Sequence, residues 1–226
     1  DRMLAEVQCD AVAIGDYYAR RGGLAIAALK GGRHVISDKP LCTSLAELDQ
    51  IETLARTRKL KVGCMLTMRD SATTLGLRAL VREGALGQLH AIAFGGQHPL
   101  MLGSRPSWYF EPGKHGGTLN DIGVHAFDAL PWITGLDFAV LNAARCWNAF
   151  VPEFPHFRDG AQVKLTMSRG CGVIGDVSYF SPDRAGYALP LYWRLTLWGR
   201  EGVAETWATA TQLNLALAGD EQLRAL

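Results

Sequence analysis

Short apolar runs and helical periods take turns over the first third of the chain. "CDAVAIG" (Cys9 to Gly15) is a brief apolar run ending in glycine, the pattern of a strand buried on both faces. In "GLAIAALKGG", Leu24, Ile26, Ala27 and Leu29 precede a Gly31-Gly32 stop, which predicts a helix closed by glycine. "RHVIS" predicts a second strand and "LKVGCML" a third. Between them, "LCTSLAELDQIETLARTRK" predicts a helix. Ser44 and Glu47 have the spacing of a capping box, and Leu45, Leu48, Ile51 and Leu54 recur at the helical period. The order β-α-β-α-β requires parallel strands with helical crossovers. A ligand then belongs beyond the carboxyl ends of the strands. The segments placed there are Asp16-Tyr17-Tyr18, Asp38-Lys39-Pro40 and Thr67-Met68-Arg69.

The pattern changes near Met68 to Thr74, which divides the chain into 1–70, half of an α/β domain, and 71–226, an α+β domain. "SATTLGLRALVREGALGQ" predicts a helix closing at Gly84 and Gly87. Period-two alternation follows in "LHAIAFGGQ", "FAVLNAARCWNAF", "GAQVKLTMSRG", "CGVIGDVSYF" and "LYWRLTLWG", which predicts a mostly antiparallel sheet. One helix interrupts it, "NDIGVHAFDALPWITG", and Pro131 is expected to kink it or end it early. Gly170, Gly172 and Gly175 spell G-x-G-x-x-G, the spacing of a dinucleotide loop. Such a loop must open a helix, and here "DVSYF" alternates like a strand, so the segment reads as a hairpin.

Composition narrows the function classes. Hydrophobic residues are 48% and charged residues 20%, with net charge +1, so neither nucleic acid nor a membrane surface is an expected partner. No apolar stretch reaches the roughly 18 residues needed to span a bilayer. The five cysteines are odd in number and widely spaced, which points to a reducing, cytoplasmic setting. No C-x-x-C or H-E-x-x-H spacing is present, so no metal is expected.

Two segments carry candidate chemistry. Lys39 follows a parallel strand directly, beside Asp38, and Pro40 holds it toward an extended conformation at the ligand edge. In "GGTLNDIGVHAFDALPWITG", Asp121, His125 and Asp128 share a helical face, and an aspartate one turn before a histidine can fix its tautomer. Gly116-Gly117 allows close backbone approach. In "RPSWYFEPGKHGG", Trp108 and Tyr109 can line a sugar or polyol pocket, with Lys114 and His115 bonding its hydroxyls. Trp193 and Trp198 read as sheet packing or an oligomer interface.

The stretch "DAVAIGDYYARRGGLAIAALKGGRHVISDKPL" resembles the segment of the Gfo/Idh/MocA oxidoreductases that ends in E-K-P. "GGTLNDIGVHAFDALPWITG" resembles that family's second signature, G-G-x-x-x-D-x-G-x-H-x-x-D. The resemblance implies a Rossmann domain followed by a domain with an open sheet. It also implies NAD or NADP as cofactor, a sugar or polyol substrate, and a homodimer or homotetramer through the second sheet. It makes Lys39, Asp121 and His125 the catalytic set. Asp16, Tyr17, Asp38, Lys39, Pro40 and Arg69 face the cofactor. Trp108, Tyr109, Lys114, His115, Asp121 and His125 face the substrate.

The sequence departs from the family pattern in three ways. Asp38 replaces the glutamate, and "GDYYARR" replaces T-P-N…H, with Arg21 where a histidine is usual. No first strand, glycine loop or ribose-binding acid precedes Cys9, so the expectation is a family member without roughly its first 65 residues. A non-catalytic sugar-binding or assembly protein, and an NAD-dependent glycosidase or epimerase, stay open as alternatives.

Overall fold

The structure is a computed structural model that describes residues 2–189 and 192–226. Leu191, first residue of the predicted strand "LYWRLTLWG", lies outside the described residues. The chain divides into two compact units, Asp1–Leu66 with Pro106–Asp121, and Thr67–Arg105 with Ile122–Leu226.

The first unit runs α1 (Arg2–Glu6), β1 (Ala11–Ile14), α2 (Tyr18–Lys30), β2 (His34–Ser37), α3 (Leu45–Arg58) and β3 (Val62–Cys64). The three strands are parallel in the order β1-β2-β3, with Ile14 opposite Ser37 and Val35 opposite Val62. Val12, Ile14 and Val35 alternate inward and meet Ala25, Ala28 and Leu29 of α2 and Ile51 of α3. The apolar period placed the start of α2 too late. Its first turn is polar, and Arg20 pairs with Asp16 at 3.1 Å. In α3, the Ser44 hydroxyl accepts from Glu47 N at 3.5 Å, as the capping spacing predicts. Only part of the predicted apolar period faces the core. Ile51 and Leu54 pack inward while Leu45 is 80% exposed.

The second unit begins with a 3₁₀ turn (Thr67–Asp70) and α4 (Ala72–Arg82), whose cap Ser71 accepts from Thr74 N at 3.2 Å. It continues with β4 (Leu89–Pro99) and α5 (Val124–Thr134). The strands β5 (Phe138–Trp147), β6 (Gly160–Met167), β7 (Gly172–Ser181), β8 (Trp193–Gly199), β9 (Gly202–Trp207), β10 (Asn214–Leu217) and β11 (Arg224–Ala225) follow. They form one eight-stranded sheet in the order β11-β10-β9-β8-β4-β7-β6-β5. All neighbours are antiparallel except β4 with β7: β7 pairs with its hairpin partner β6 on one side and lies parallel to β4 on the other.

One face of this sheet is buried, with Phe127 of α5 edge-on to Phe94 of β4 at 6.1 Å. The other face stays open, with Ile174 64% exposed. The β6–β7 hairpin forms where the sequence predicts it, in register Gln162 to Asp176. Its glycines have local reasons: Gly170 turns at φ 77°, and a Cβ on Gly175 would collide with the Phe94 ring.

The expected early stop in the second-signature helix does not occur. α5 passes through Pro131 to Thr134, where Gly135 N closes on the Pro131 carbonyl at 2.8 Å. Thr134 Oγ1 also donates to the Leu130 carbonyl at 2.7 Å, and buried Ala126, Ala129, Leu130 and Ile133 hold the helix in place. Proline removes one ladder bond, and packing outweighs it. The N-terminal part of the predicted helix is instead a π-helical turn, Leu119–Gly123. Among the described residues no helix is long and apolar enough to cross a membrane.

Candidate functional site

β2 ends at Ser37, and the chain turns through Asp38, Lys39 and Pro40 with a cis Lys39–Pro40 bond. Arg21 of α2 organises this turn. Its side chain is 3% exposed, and Nη2 reaches the Asp38 carboxylate at 3.0 Å. Nε donates to the Asp16 carbonyl at 2.7 Å, and Nη1 donates to the Lys39 carbonyl. The guanidinium lies 4.7 Å from the Tyr18 ring centre. One planar fork therefore ties the exit of β1 to the exit of β2, a task suited to arginine. Asp38 also accepts the Lys39 N–H at 2.8 Å.

Held in this way, Lys39 points its ammonium at Asp121. Nζ donates to Asp121 Oδ1 at 2.5 Å and to the Asp121 carbonyl at 2.7 Å. Asp121 is 1% exposed. Its other oxygen accepts from the Tyr109 hydroxyl at 2.8 Å and lies 3.6 Å from His115 Nε2. Gly117 N donates to His115 Nδ1 at 3.2 Å, so a neutral His115 carries its proton on Nε2, toward the carboxylate. Burial alone pushes the Asp121 carboxyl up. His115 and the Lys39 charge outweigh that and hold it well below the usual carboxylate range. Tyr18 lies beneath this group, its hydroxyl 3.4 Å from that of Tyr109 and its ring centre 5.9 Å from Lys39 Nζ. Burial, then the Asp121 charge, drive the Tyr18 hydroxyl far above the ordinary range, so it stays a neutral phenol.

The first unit thus gathers most of the residues singled out from sequence. The Tyr17 and Trp108 rings lie 6.1 Å apart, tilted by 41°, and Lys114 pairs with Glu111 while lying 5.3 Å from the Tyr17 ring. Trp108 also meets Tyr18 edge-on at 5.0 Å. Tyr109 and His115, expected to meet a ligand directly, are both buried, with ring centres 4.4 Å apart. The close approach at Gly116 is to Thr43, whose methyl a Cβ there would strike.

His125, Arg69 and Asp128 belong to the second unit. Arg69 forks onto Asp128, Nε to Oδ2 at 2.6 Å, and its guanidinium lies 5.7 Å from the Trp132 ring. That hydrogen bond raises the Arg69 pKa further. His125 is edge-on to Trp193 at 5.8 Å and lines a cavity of about 180 Å³ with Thr67, Ser71, Thr73, Trp193 and Thr206.

Sequence reasoning placed Tyr18 at the ligand edge and noted Arg21 only as a departure from the family pattern; it did not see that both are buried beneath the Lys39 turn, and it did not single out Thr206. Arg21 carried a signal, since a second arginine in "YYARR" falls three residues after Tyr18 on the inward side of α2. Thr206 carried none, because its neighbours come from distant strands and helices. Among the described residues no three His, Cys, Asp or Glu side chains converge as metal ligands would.

Comparison with known proteins places this geometry. A model described as the oxidoreductase family, NAD-binding Rossmann fold, matches residues 1–65, and one described as the GFO/IDH/MocA C-terminal domain matches residues 74–205. Levoglucosan dehydrogenase of Pseudarthrobacter phenanthrenivorans is 27% identical over 159 residues, 68% of this chain and 40% of that protein. The 1,5-anhydro-D-fructose reductase of Ensifer adhaerens is 27% identical over 139 residues, 61% of this chain and 41% of that protein. An inositol dehydrogenase homolog from Azotobacter vinelandii, solved with NAD+, superimposes with TM-score 0.84 at 20% identity, over 100% of this chain and 59% of that one. This chain spans about two fifths of the length of the curated relatives it matches.

Proposed function

The chain belongs to the Gfo/Idh/MocA oxidoreductase family, and on that premise we propose that it carries the proton-handling residues of an NAD(P)-dependent sugar or polyol dehydrogenase. The observation that carries this reading is the Lys39–Asp121 pair at the carboxyl edge of the parallel strands. An ammonium has three protons. Two go to Asp121, and the third remains for a substrate oxygen. Asp121 keeps Lys39 aimed, and His115 and the Lys39 charge hold the Asp121 carboxyl in its ionised form.

The residues present fit the nicotinamide end of a dinucleotide. Gly15 opens onto free space at the end of β1, where a Cβ would have no neighbour within 4 Å. Asp16, Tyr17, Asp38, Lys39 and Pro40 border the exits of β1 and β2 and would hold the ribose and nicotinamide; Arg69 is the remaining residue that the sequence pattern assigns to the cofactor. A nicotinamide held there would supply the hydride acceptor for oxidation and the hydride donor for reduction. The Lys39 ammonium would give a proton to the carbonyl oxygen during reduction, and the neutral amine so formed would take the hydroxyl proton back during oxidation; His125 is the alternative proton carrier. Trp108 and Lys114 border the same edge and face the substrate.

Sugar-acting relatives support a polyhydroxyl substrate. The open face of the eight-stranded sheet, with Val140, Ile174 and Trp198 exposed, supports assembly of two or four copies, which sedimentation equilibrium checks. The deciding experiment follows NADH and NADPH formation with a panel of neutral sugars and cyclic polyols. Lys39→Met should lower turnover by about 10²-fold or more. Turnover equal to the parent's rejects the assigned role.

A further inference from the structure

The chain departs from the family pattern at Tyr18, at Arg21 and at Asp38. In space the three positions touch. Tyr18 and Arg21 are three residues apart in the first turns of α2, so they share a face. The Arg21 guanidinium lies 4.7 Å from the Tyr18 ring centre, and its Nη2 is 3.0 Å from Asp38 Oδ2. One line of contacts therefore runs from phenol ring to guanidinium to carboxylate.

Side-chain reach links two of the departures. Arginine is long and aspartate short, whereas histidine is short and glutamate long. One exchange lengthens the base and the other shortens the acid, so the gap between α2 and the β2 exit is bridged either way. The arginine does more than span the gap. Nε donates to the Asp16 carbonyl at 2.7 Å, Nη1 to the Lys39 carbonyl and Nη2 to Asp38. A histidine has two ring nitrogens and cannot serve three acceptors. The short acid suits the same arrangement: Asp38 Oδ1 accepts the Lys39 N–H at 2.8 Å while Oδ2 takes Arg21.

This set reaches Lys39 by two routes. The first is its backbone, whose N–H is held by Asp38 and whose carbonyl is held by Arg21. The second is its ammonium, which donates to Asp121, and Asp121 also accepts from Tyr109. Tyr18 backs that group, with ring centres 5.9 Å from Tyr109 and 5.3 Å from His115. An asparagine at position 18 would leave this volume empty and give the guanidinium no ring. Arg21 is 3% and Tyr18 8% exposed, so both act from inside the protein.

We propose that Tyr18 and Arg21 are positioning residues, coupled with Asp38 as a single exchange from the family pattern, and that the set fixes where the Lys39 ammonium stands. The proposal deepens the Lys39–Asp121 reading above and takes its chemical purpose from it.

The test reads Lys39 directly. The intact 226-residue chain is acylated with acetic anhydride at neutral pH. Peptide mass spectrometry gives the rate at Lys39 relative to Lys30, the exposed lysine at the far end of α2. Arg21→Lys keeps the charge and loses the fork, and it should raise the ratio about tenfold, as should Arg21→His. Adding Asp38→Glu to Arg21→His should recover about half of the lost protection, because the longer acid meets the shorter base. Tyr18→Leu should raise the ratio about threefold. Asp38→Ala, at a half-exposed side chain, should also raise it and serves if an Arg21 variant does not fold by circular dichroism. Leu29→Ala, a core truncation elsewhere in α2, should lower the urea midpoint and leave the ratio unchanged.

A ratio unchanged in Arg21→Lys or Asp38→Ala, no recovery on adding Asp38→Glu, or an equal rise in Leu29→Ala would each overturn the proposal. NADH and NADPH formation is measured separately on the same samples. Ratios that move as expected, with no turnover even in the parent, remove the dehydrogenase reading and leave the coupled set. Turnover that is equal in the parent and in Arg21→Lys does the reverse.

Discussion

The polar groups of the two units are arranged by opposite rules. In the first, a lysine, an aspartate, a histidine and two tyrosines close on one another. Asp121, almost without solvent exposure, has partners on both carboxylate oxygens. In the second, the described residues that line the cavity beside His125 bring hydroxyls and indoles and no Asp, Glu, Lys or Arg, and among the described residues the buried Thr206 hydroxyl has no hydrogen-bond partner. The difference is instructive. A charge network is stable only when complete, so it serves to position a group. A neutral cavity wall holds no such network, so a single hydroxyl in it can go unpartnered at a cost of one hydrogen bond.

If that contrast is right, deletions should have opposite signs in the two regions. The largest effect is expected for Asp121→Asn. It leaves the part-buried Lys39 ammonium without its counter-charge, and thermal and urea unfolding should show a loss of about 3–5 kcal/mol. The same variant exposes the pH behaviour. Because the folded Asp121 pKa lies below the unfolded value of about 3.9, its stabilisation is complete above that value. It is lost as pH falls through the folded value. Melting curves from neutral pH downward should steepen in the acid range for the parent and flatten for Asp121→Asn. Parallel curves would show that the pair contributes nothing.

His125→Asn comes next. Turnover should fall by about 10²-fold while the melting temperature stays near the parent's, because His125 borders a cavity rather than a packed core. Tyr109→Phe removes one hydrogen bond to a charged acceptor and should cost about 1.5–3 kcal/mol, read by the same unfolding curves. The smallest effect, and the one that tests the contrast itself, is Thr206→Val. Removing a buried hydroxyl with no partner should leave stability unchanged or raise it by up to about 1 kcal/mol. A loss as large as that for Tyr109→Phe would mean that the hydroxyl is already satisfied, and the contrast between the units would fail.

Much of the first unit was legible because its signals are local. Strand, glycine stop and cap lie within a few residues of one another, and β1, α2, β2, α3 and β3 follow in the predicted order. Lys39 was legible for the same reason, as the residue after a strand. Pro131 misled because a proline's local penalty says nothing of the packing around it, and α5 is buried on the side that matters. The G-x-G-x-x-G reading came out correctly as a hairpin because alternation after the glycines is again a local signal.

By itself, then, the sequence determined the elements, their parallel or mostly antiparallel pairing and the residue types able to handle a proton. Only the tertiary structure decided that residues 106–121 join the first unit, so that Tyr109, His115 and Asp121 meet a lysine some eighty positions earlier. It also decided that Arg21 ties two strand exits together and that the buried Thr206 hydroxyl has no hydrogen-bond partner among the described residues. Hydrogen-bond partners of that kind are set by which distant surfaces pack together, and packing is a property of the whole chain that no local window records.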